Sequence, residues 1–265
     1  MTRCDSGTDS KVWMEEDTGM LPFLYFVRLC PKIDIFGHYL LEEIKMEKQK
    51  MSTRYMAVVA MFSAVAFVAV VLSKVIPDVA GFLSYEPKDV VIVIAGFIFG
   101  PLTSVLISVI VSFVEMITIS GTGPYGMIMN IVSTCAFAVP AAWFYKKHHS
   151  QKGAVLGLAM GVVLLTVSML IWNYIITPYY MGVPREKVAD MLATVFLPFN
   201  LIKGGINAGL TMLLYKPIVG ALRKAKLVAP AGGSVKKTFS PGFTLFTLVV
   251  LLTFVLLFLV MIGVL

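Results

Sequence analysis

With 265 residues, 58% hydrophobic and only 14% charged, and a mean hydropathy of +0.87, the chain falls well below the roughly 25% charge of a soluble domain and reads as a polytopic membrane protein. Its net charge of +7 follows from where the lysines and arginines fall, with no charged block of the kind that binds nucleic acid. Cys4, Cys30 and Cys135 are too scattered for a disulfide framework and His38, His148 and His149 stand at no ligand spacing; no nucleophile motif, phosphate loop or carboxylate pair points to an enzyme or a cofactor.

Residues 1–50 differ from the rest. Asp5, Glu15, Glu16 and Asp17 precede a short apolar run, 20–30, that stops at Pro31. The run is too short to span a bilayer and has no signal-peptide layout. The expectation is a cytoplasmic tail, or a mis-assigned start with translation beginning at Met46 or Met51.

The first span is expected at 55–76, ending at Pro77, with Ala60 and Ala64 at small-xxx-small spacing. Such a face either lets a second protein approach closely or fills an internal helix contact. The loop 77–87 carries Asp78, Gly81, Tyr85 and Glu86. Two apolar segments follow, 89–99 and 102–119, split by Gly100-Pro101. The first is short against the roughly 20 residues of a full span and should be covered by its neighbours. Glu115, near the end of the second, reads either as a rim residue facing headgroups or as a partner for Lys203.

The run 120–125 (Ser-Gly-Thr-Gly-Pro-Tyr) is a tight turn. Spans follow at 126–145 and 154–176, separated by the basic loop 146–152, and the second ends at Thr177-Pro178. Asn173 lies there between Trp172 and Tyr174, as an interfacial belt or as a polar anchor between aromatic walls. A loop at 179–194 is expected to hold a short helix after Pro184. The sixth span, 195–215, carries Asn200, Lys203, Gly204 and Asn207 on one helical face and stops before Pro217. A lysine at hydrocarbon depth costs roughly 2.5–3.5 kcal/mol and normally faces a partner, a cavity or a ligand. Residues 228–240 read as a linker, and 243–265 as a final apolar span without an ionisable group.

The expected architecture is therefore an all-α integral membrane protein. A six-transmembrane-helix core occupies 51–227, and one additional C-terminal transmembrane helix lies within 241–265. Lysine and arginine bias puts 48–54, 146–152 and 216–237 in the cytoplasm, which leaves Leu265 outside. Tyr85, Thr122, Gly123, Tyr125, Asn173, Asn200 and Lys203 then gather in the outer half of the membrane, the layout of an apolar pocket with a few placed polar groups. Two amides and a cation suit a flat heterocycle whose edge alternates donors and acceptors. A near absence of intramembrane acids argues against proton or sodium coupling, and the lack of a nucleotide motif assigns the energy source to another subunit.

Pro198-Phe-Asn-Leu-Ile-Lys-Gly204, Asn173-Tyr174 before Thr177-Pro178, the Tyr85-Glu86-Pro87 loop and Gly121-Thr-Gly-Pro-Tyr125 together resemble the riboflavin-specific S component of energy-coupling-factor (ECF) transporters. The resemblance spans about 51–226. It implies a six-helix membrane subunit that captures riboflavin outside with high affinity. Delivery inward follows with a module of one transmembrane coupling subunit and two ATPases. It further implies that Ala60 and Ala64 contact the coupling subunit and that 79–88 gates the site. Asn173, Asn200 and Lys203 would hold the isoalloxazine ring, and Tyr85, Thr122 and the 121–123 backbone would meet the ribityl chain. Residues 1–50 and the last helix depart from that core. Two alternatives stay open: an S component or permease for another small heterocyclic vitamin such as thiamine or biotin, and a non-transport membrane protein in which Lys203–Glu115 is a structural ion pair.

Overall fold

Lipid offers the backbone no hydrogen bonds, so a chain this apolar must satisfy its peptide groups inside helices. The structure, a computed structural model, describes residues 53–148, 150–224 and 241–264. Eight α-helices carry almost all of them: α1 (Thr53–Ser73), α2 (Lys88–Phe99), α3 (Pro101–Thr118), α4 (Gly123–His148), α5 (Gln151–Met181), α6 (Arg185–Met191), α7 (Leu197–Lys224) and α8 (Pro241–Met261). The chain divides into two units, Met1–Lys50 and Met51–Leu265. The first, where the tail or mis-assigned start was expected, lies outside the described residues, as does the linker 228–240.

Among the described residues, six stretches are long and apolar enough to cross a membrane: α1, α3, α4, α5, α8, and α6 with α7 taken together. Helix α2, with 12 residues, rises about 18 Å at 1.5 Å per residue and falls short of a hydrocarbon core of about 30 Å. It compensates by being enclosed, with Ile92, Val93, Ile94 and Ala95 fully buried. The break between α2 and α3 is set by Gly100, whose φ of 109° excludes a side chain, and by Pro101 at the first turn of α3.

The ends of two spans differ from expectation. Helix α5 runs through Pro178 to Met181, and α7 through Pro217 to Lys224. Proline removes one backbone bond and crowds the preceding turn, a loss that neighbouring helices make tolerable in a bundle. The expected short helix after Pro184 is α6. It continues through a π-turn, Leu192–Phe196, straight into α7, so most of the expected loop is helical. Insertions of this kind recur at functional sites.

Close packing centres on α7. A Cβ added to Gly204 would come within 3.0 Å of Val162 on α5. One added to Gly205 would meet the Phe254 ring of α8 at 2.6 Å, and one at Gly209 would meet Leu251 at 3.2 Å. The glycines after Lys203 are thus contact points for two different helices, the close approach that drives helix association in lipid. One side of the last helix is therefore seated on α7.

Candidate ligand-binding site

Three connections meet at one end of the bundle. Between α1 and α2 the chain turns back on itself at Val79–Leu83. The Val79 amide donates to the Leu83 carbonyl at 2.9 Å and the Leu83 amide returns the bond at 3.0 Å. Ala80 and Gly81 take left-handed conformations, φ 53° and 80°, to close the turn. Beside it lie the α3–α4 turn and the distal end of α5. A cleft opens among them, lined by Phe82, Leu83, Thr122, Tyr125, Gly126, Met129, Asn173, Thr177 and Met181.

Of the residues expected at the site, Thr122, Tyr125 and Asn173 share this cleft. Gly123 opens α4 beside Thr122, with φ 58°. Tyr125 is half exposed, so its ring is a ready stacking surface. Asn173 donates from Nδ2 to the Met169 carbonyl at 2.7 Å and accepts from Thr177 Oγ1 at 3.1 Å. These two bonds leave one N–H donor and one carbonyl lone pair on the amide.

Tyr85, Asn200 and Lys203 do not line the cleft. All three are buried. Asn200 Nδ2 donates to the Phe196 carbonyl, the last residue of the π-turn, at 2.8 Å. The Tyr85 hydroxyl donates to Asn207 Oδ1 at 2.8 Å; burial, reinforced by Asp89, raises its pKa and keeps it a donor. Asn207 thus ties α7 to the α1–α2 connection.

Lys203 belongs to a buried polar cluster that sequence reasoning missed. Glu86, Lys88, Asp89 and Glu115 are all buried. Lys88 Nζ lies 2.7 Å from Glu115 Oε2 and 3.0 Å from Glu86 Oε2. Lys203 Nζ stands 3.6 Å from Glu86 Oε2 and 3.9 Å from Asp89 Oδ2, and Lys74 reaches Glu115 at 3.9 Å. Asn130 Nδ2 donates to Glu86 and Glu115, Thr134 Oγ1 to Asp89 at 2.7 Å, and Asn207 Nδ2 to Asp89 at 3.2 Å. Burial would raise the Glu86 carboxyl, but Lys88 and Lys203 beside it hold its pKa well below the usual range.

Two expectations are corrected here. Glu115 neither faces headgroups nor pairs with Lys203; it is buried against Lys88, whose charge lies nearer. The bundle is also not poor in acids. Glu86 reads as a loop charge and Asp89 as the first residue of the short segment, yet both are buried, so the argument against ion coupling from missing carboxylates falls. A signal was available: the segment is too short to span and must be covered by its neighbours, and Lys88 and Asp89 open it with Glu86 just ahead.

The two buried lysines are unlike. Lys88 is engaged at hydrogen-bonding distance on both sides, whereas both ion contacts of Lys203 exceed it. The Lys203 ammonium is charge-compensated but keeps donors to give. Cluster and cleft adjoin in the chain: Leu83 and Met129 line the cleft, while Glu86 and Asn130 belong to the cluster. On the far side of the core, Ala60 and Ala64 are exposed on α1, amid exposed Met61, Val65 and Val68, so this small-residue face is not an internal contact of the described bundle.

The fold and site define a helical membrane protein that holds an amphipathic cleft beside a compensated charge cluster at one end of its bundle. The chain belongs to the family of ECF transporter substrate-specific components, whose description matches residues 54–215. It is 29% identical over 190 residues to the riboflavin transporter FmnP of Bacillus subtilis, covering 67% of this chain and all of that protein. It is 30% identical over 183 residues to the riboflavin transporter RibU of Streptococcus thermophilus, covering 65% of this chain and 86% of the relative. A solved structure described as the S component of a bacterial ECF transporter aligns with a TM-score of 0.54 at 26% identity, over 63% of this chain and 96% of that one.

Proposed function

We propose that this protein is the riboflavin-binding subunit of an ECF-type uptake transporter, capturing the vitamin outside and delivering it inward with an ATP-driven coupling module. Membership of the substrate-specific component family supports the role, and the riboflavin transporters among its relatives support the substrate. The observation that carries the site is Lys203: a buried ammonium, compensated by Glu86 and Asp89, with donors left over. Riboflavin presents carbonyl and ring-nitrogen acceptors alternating with an N–H donor. Asn173 and Asn200 answer both kinds of group, and Lys203 answers an acceptor. Thr122, Gly123 and Tyr125 meet the ribityl chain and a ring face, with Tyr85 close by on the gating segment 79–88.

In this reading the cleft faces outward, the basic connection between α4 and α5 lies in the cytoplasm, and Leu265 ends outside. The exposed Ala60–Ala64 face of α1 meets the transmembrane coupling subunit, and two ATPase subunits supply the energy that this chain has no motif to supply. The transported vitamin is the only small molecule this subunit itself is called on to hold; no cofactor enters the reading.

The test is direct. Purified from a flavin-containing host, the protein should carry a yellow ligand whose fluorescence is quenched, and the stripped protein should titrate with riboflavin. A colourless preparation that binds thiamine or biotin tightly, with no flavin binding, would transfer the site to another vitamin.

A further inference from the structure

Helix α8 lies outside the family match, which ends at residue 215, yet it packs on the segment that supplies part of the cleft wall. Phe258 is buried, and its ring lies 5.5 Å from that of Tyr85. Together they form a small apolar core with Val79, Phe199, Ile202 and Ile206. Leu83 packs against this core and also lines the cleft; Phe82, one residue earlier, lines the cleft too. The segment 79–86 is therefore pinned from two sides. The Tyr85 hydroxyl is held by Asn207 on α7, and the Tyr85 ring is held by α8. The position of α8 is itself fixed, because Phe254 and Leu251 fill the space left by Gly205 and Gly209.

We propose that α8 is a positioning element for the vitamin site: Phe258, acting through Tyr85, fixes the 79–86 segment whose Phe82 and Leu83 wall the cleft. The proposal rests on the riboflavin reading above for its effect on binding, although the tether itself does not. Glu86 anchors one end of the segment in the charge cluster, and Phe82 packs on Phe196. The stretch that loosens once the Phe258 support is removed is therefore the 79–83 turn, closed by its two reciprocal backbone bonds. A wall that opens more often lets ligand leave faster, and differences of this kind appear mainly in the dissociation rate.

The experiment uses the full-length protein in detergent and reads riboflavin release by the recovery of flavin fluorescence. Phe258→Ala should speed release about tenfold, and Phe258→Tyr, which keeps a ring against Tyr85, should restore the parent rate to within about twofold. Phe246→Ala, at an exposed position of the same helix, should leave it unchanged. Hydrogen exchange at the Val79 and Leu83 amides provides the second measurement, made without ligand: Phe258→Ala should raise both, and Phe246→Ala neither. Where Phe258→Ala does not fold, Phe258→Leu takes its place in both assays. Unchanged exchange at Val79 and Leu83 in a folded variant overturns the proposal, as does a release rate within twofold of the parent. A parent that binds no riboflavin overturns the proposed function, and the tether then stands or falls on the exchange result.

Discussion

At the end of the bundle away from the cleft, rings close the helices. Phe97 stacks on Tyr145 at 4.6 Å, Tyr215 meets both edge-on, Tyr55 and Phe62 pack against Phe99, and the Tyr145 and Tyr215 hydroxyls bond to each other. At the cleft end the same helices are joined by Glu86, Lys88, Asp89, Glu115 and Lys203. Aromatic pairs add about 0.5–1.5 kcal/mol each beyond their burial and fail one at a time. Buried ions cost several kcal/mol apiece to desolvate and are tolerated only as a compensated set. An end built from rings can only hold helices together. An end built from compensated charges can also leave one cation with donors to spare, and this is the property a binding site needs.

The difference between the ends can be broken by substitution. The largest effect should follow removal of Lys88. Lys88→Ala strands Glu86 and Glu115 in the interior and should cost about 3–5 kcal/mol of stability, seen as a large fall in the unfolding temperature in detergent. A loss of about 1 kcal/mol or less, the value of an exposed pair, would mean that the cluster is not sealed as described.

Removing the spare donor should strike binding instead. Asn200→Ala and Lys203→Ala should each weaken riboflavin binding by about 1–3 kcal/mol, the cost of leaving a buried polar partner unanswered, read by fluorescence titration. Unchanged affinity in both would remove the site assignment. At the ring end, Tyr145→Phe deletes the hydroxyl bond to Tyr215 and should cost about 0.5–1.5 kcal/mol of stability with riboflavin affinity untouched. A change in affinity there would show that the two ends are coupled. The smallest effect on the isolated protein should come from Ala60→Leu or Ala64→Leu on the exposed face of α1. Affinity should hold while ATP-driven uptake in vesicles containing the coupling module stops; loss of binding in the isolated protein would place that face inside the site.

Much of the architecture was legible from the chain. The apolar runs, the Gly100-Pro101 break and the short second segment give the helices nearly as they stand, and α6 appears where Pro184 suggested a start. The shared face of Asn200, Lys203, Gly204 and Asn207 is buried throughout, because helical spacing alone puts them together. Helix ends at Pro178 and Pro217 were misjudged, since proline's local cost is offset by neighbours that no local pattern reveals. The partners of Lys203 were misjudged for a related reason: Glu86 closes a segment that looks like a solvated loop and Asp89 opens the next one, so both look like end charges.

Sequence by itself determined that this chain spans a membrane, where its helices run, and that one of them carries an amide–lysine–amide face requiring polar company. The cost of a charge in lipid is a local fact, so residue type and depth suffice to state the demand. Tertiary structure decided who meets it. Glu86 and Asp89 lie more than a hundred positions before Lys203, and only the packing of α2 against α7, with α3 and α4 alongside, brings the charges within reach and leaves Lys203 less tightly held than Lys88. It also seats the last helix on Gly205 and Gly209, a contact fixed by shape between segments with no mutual signature in the chain.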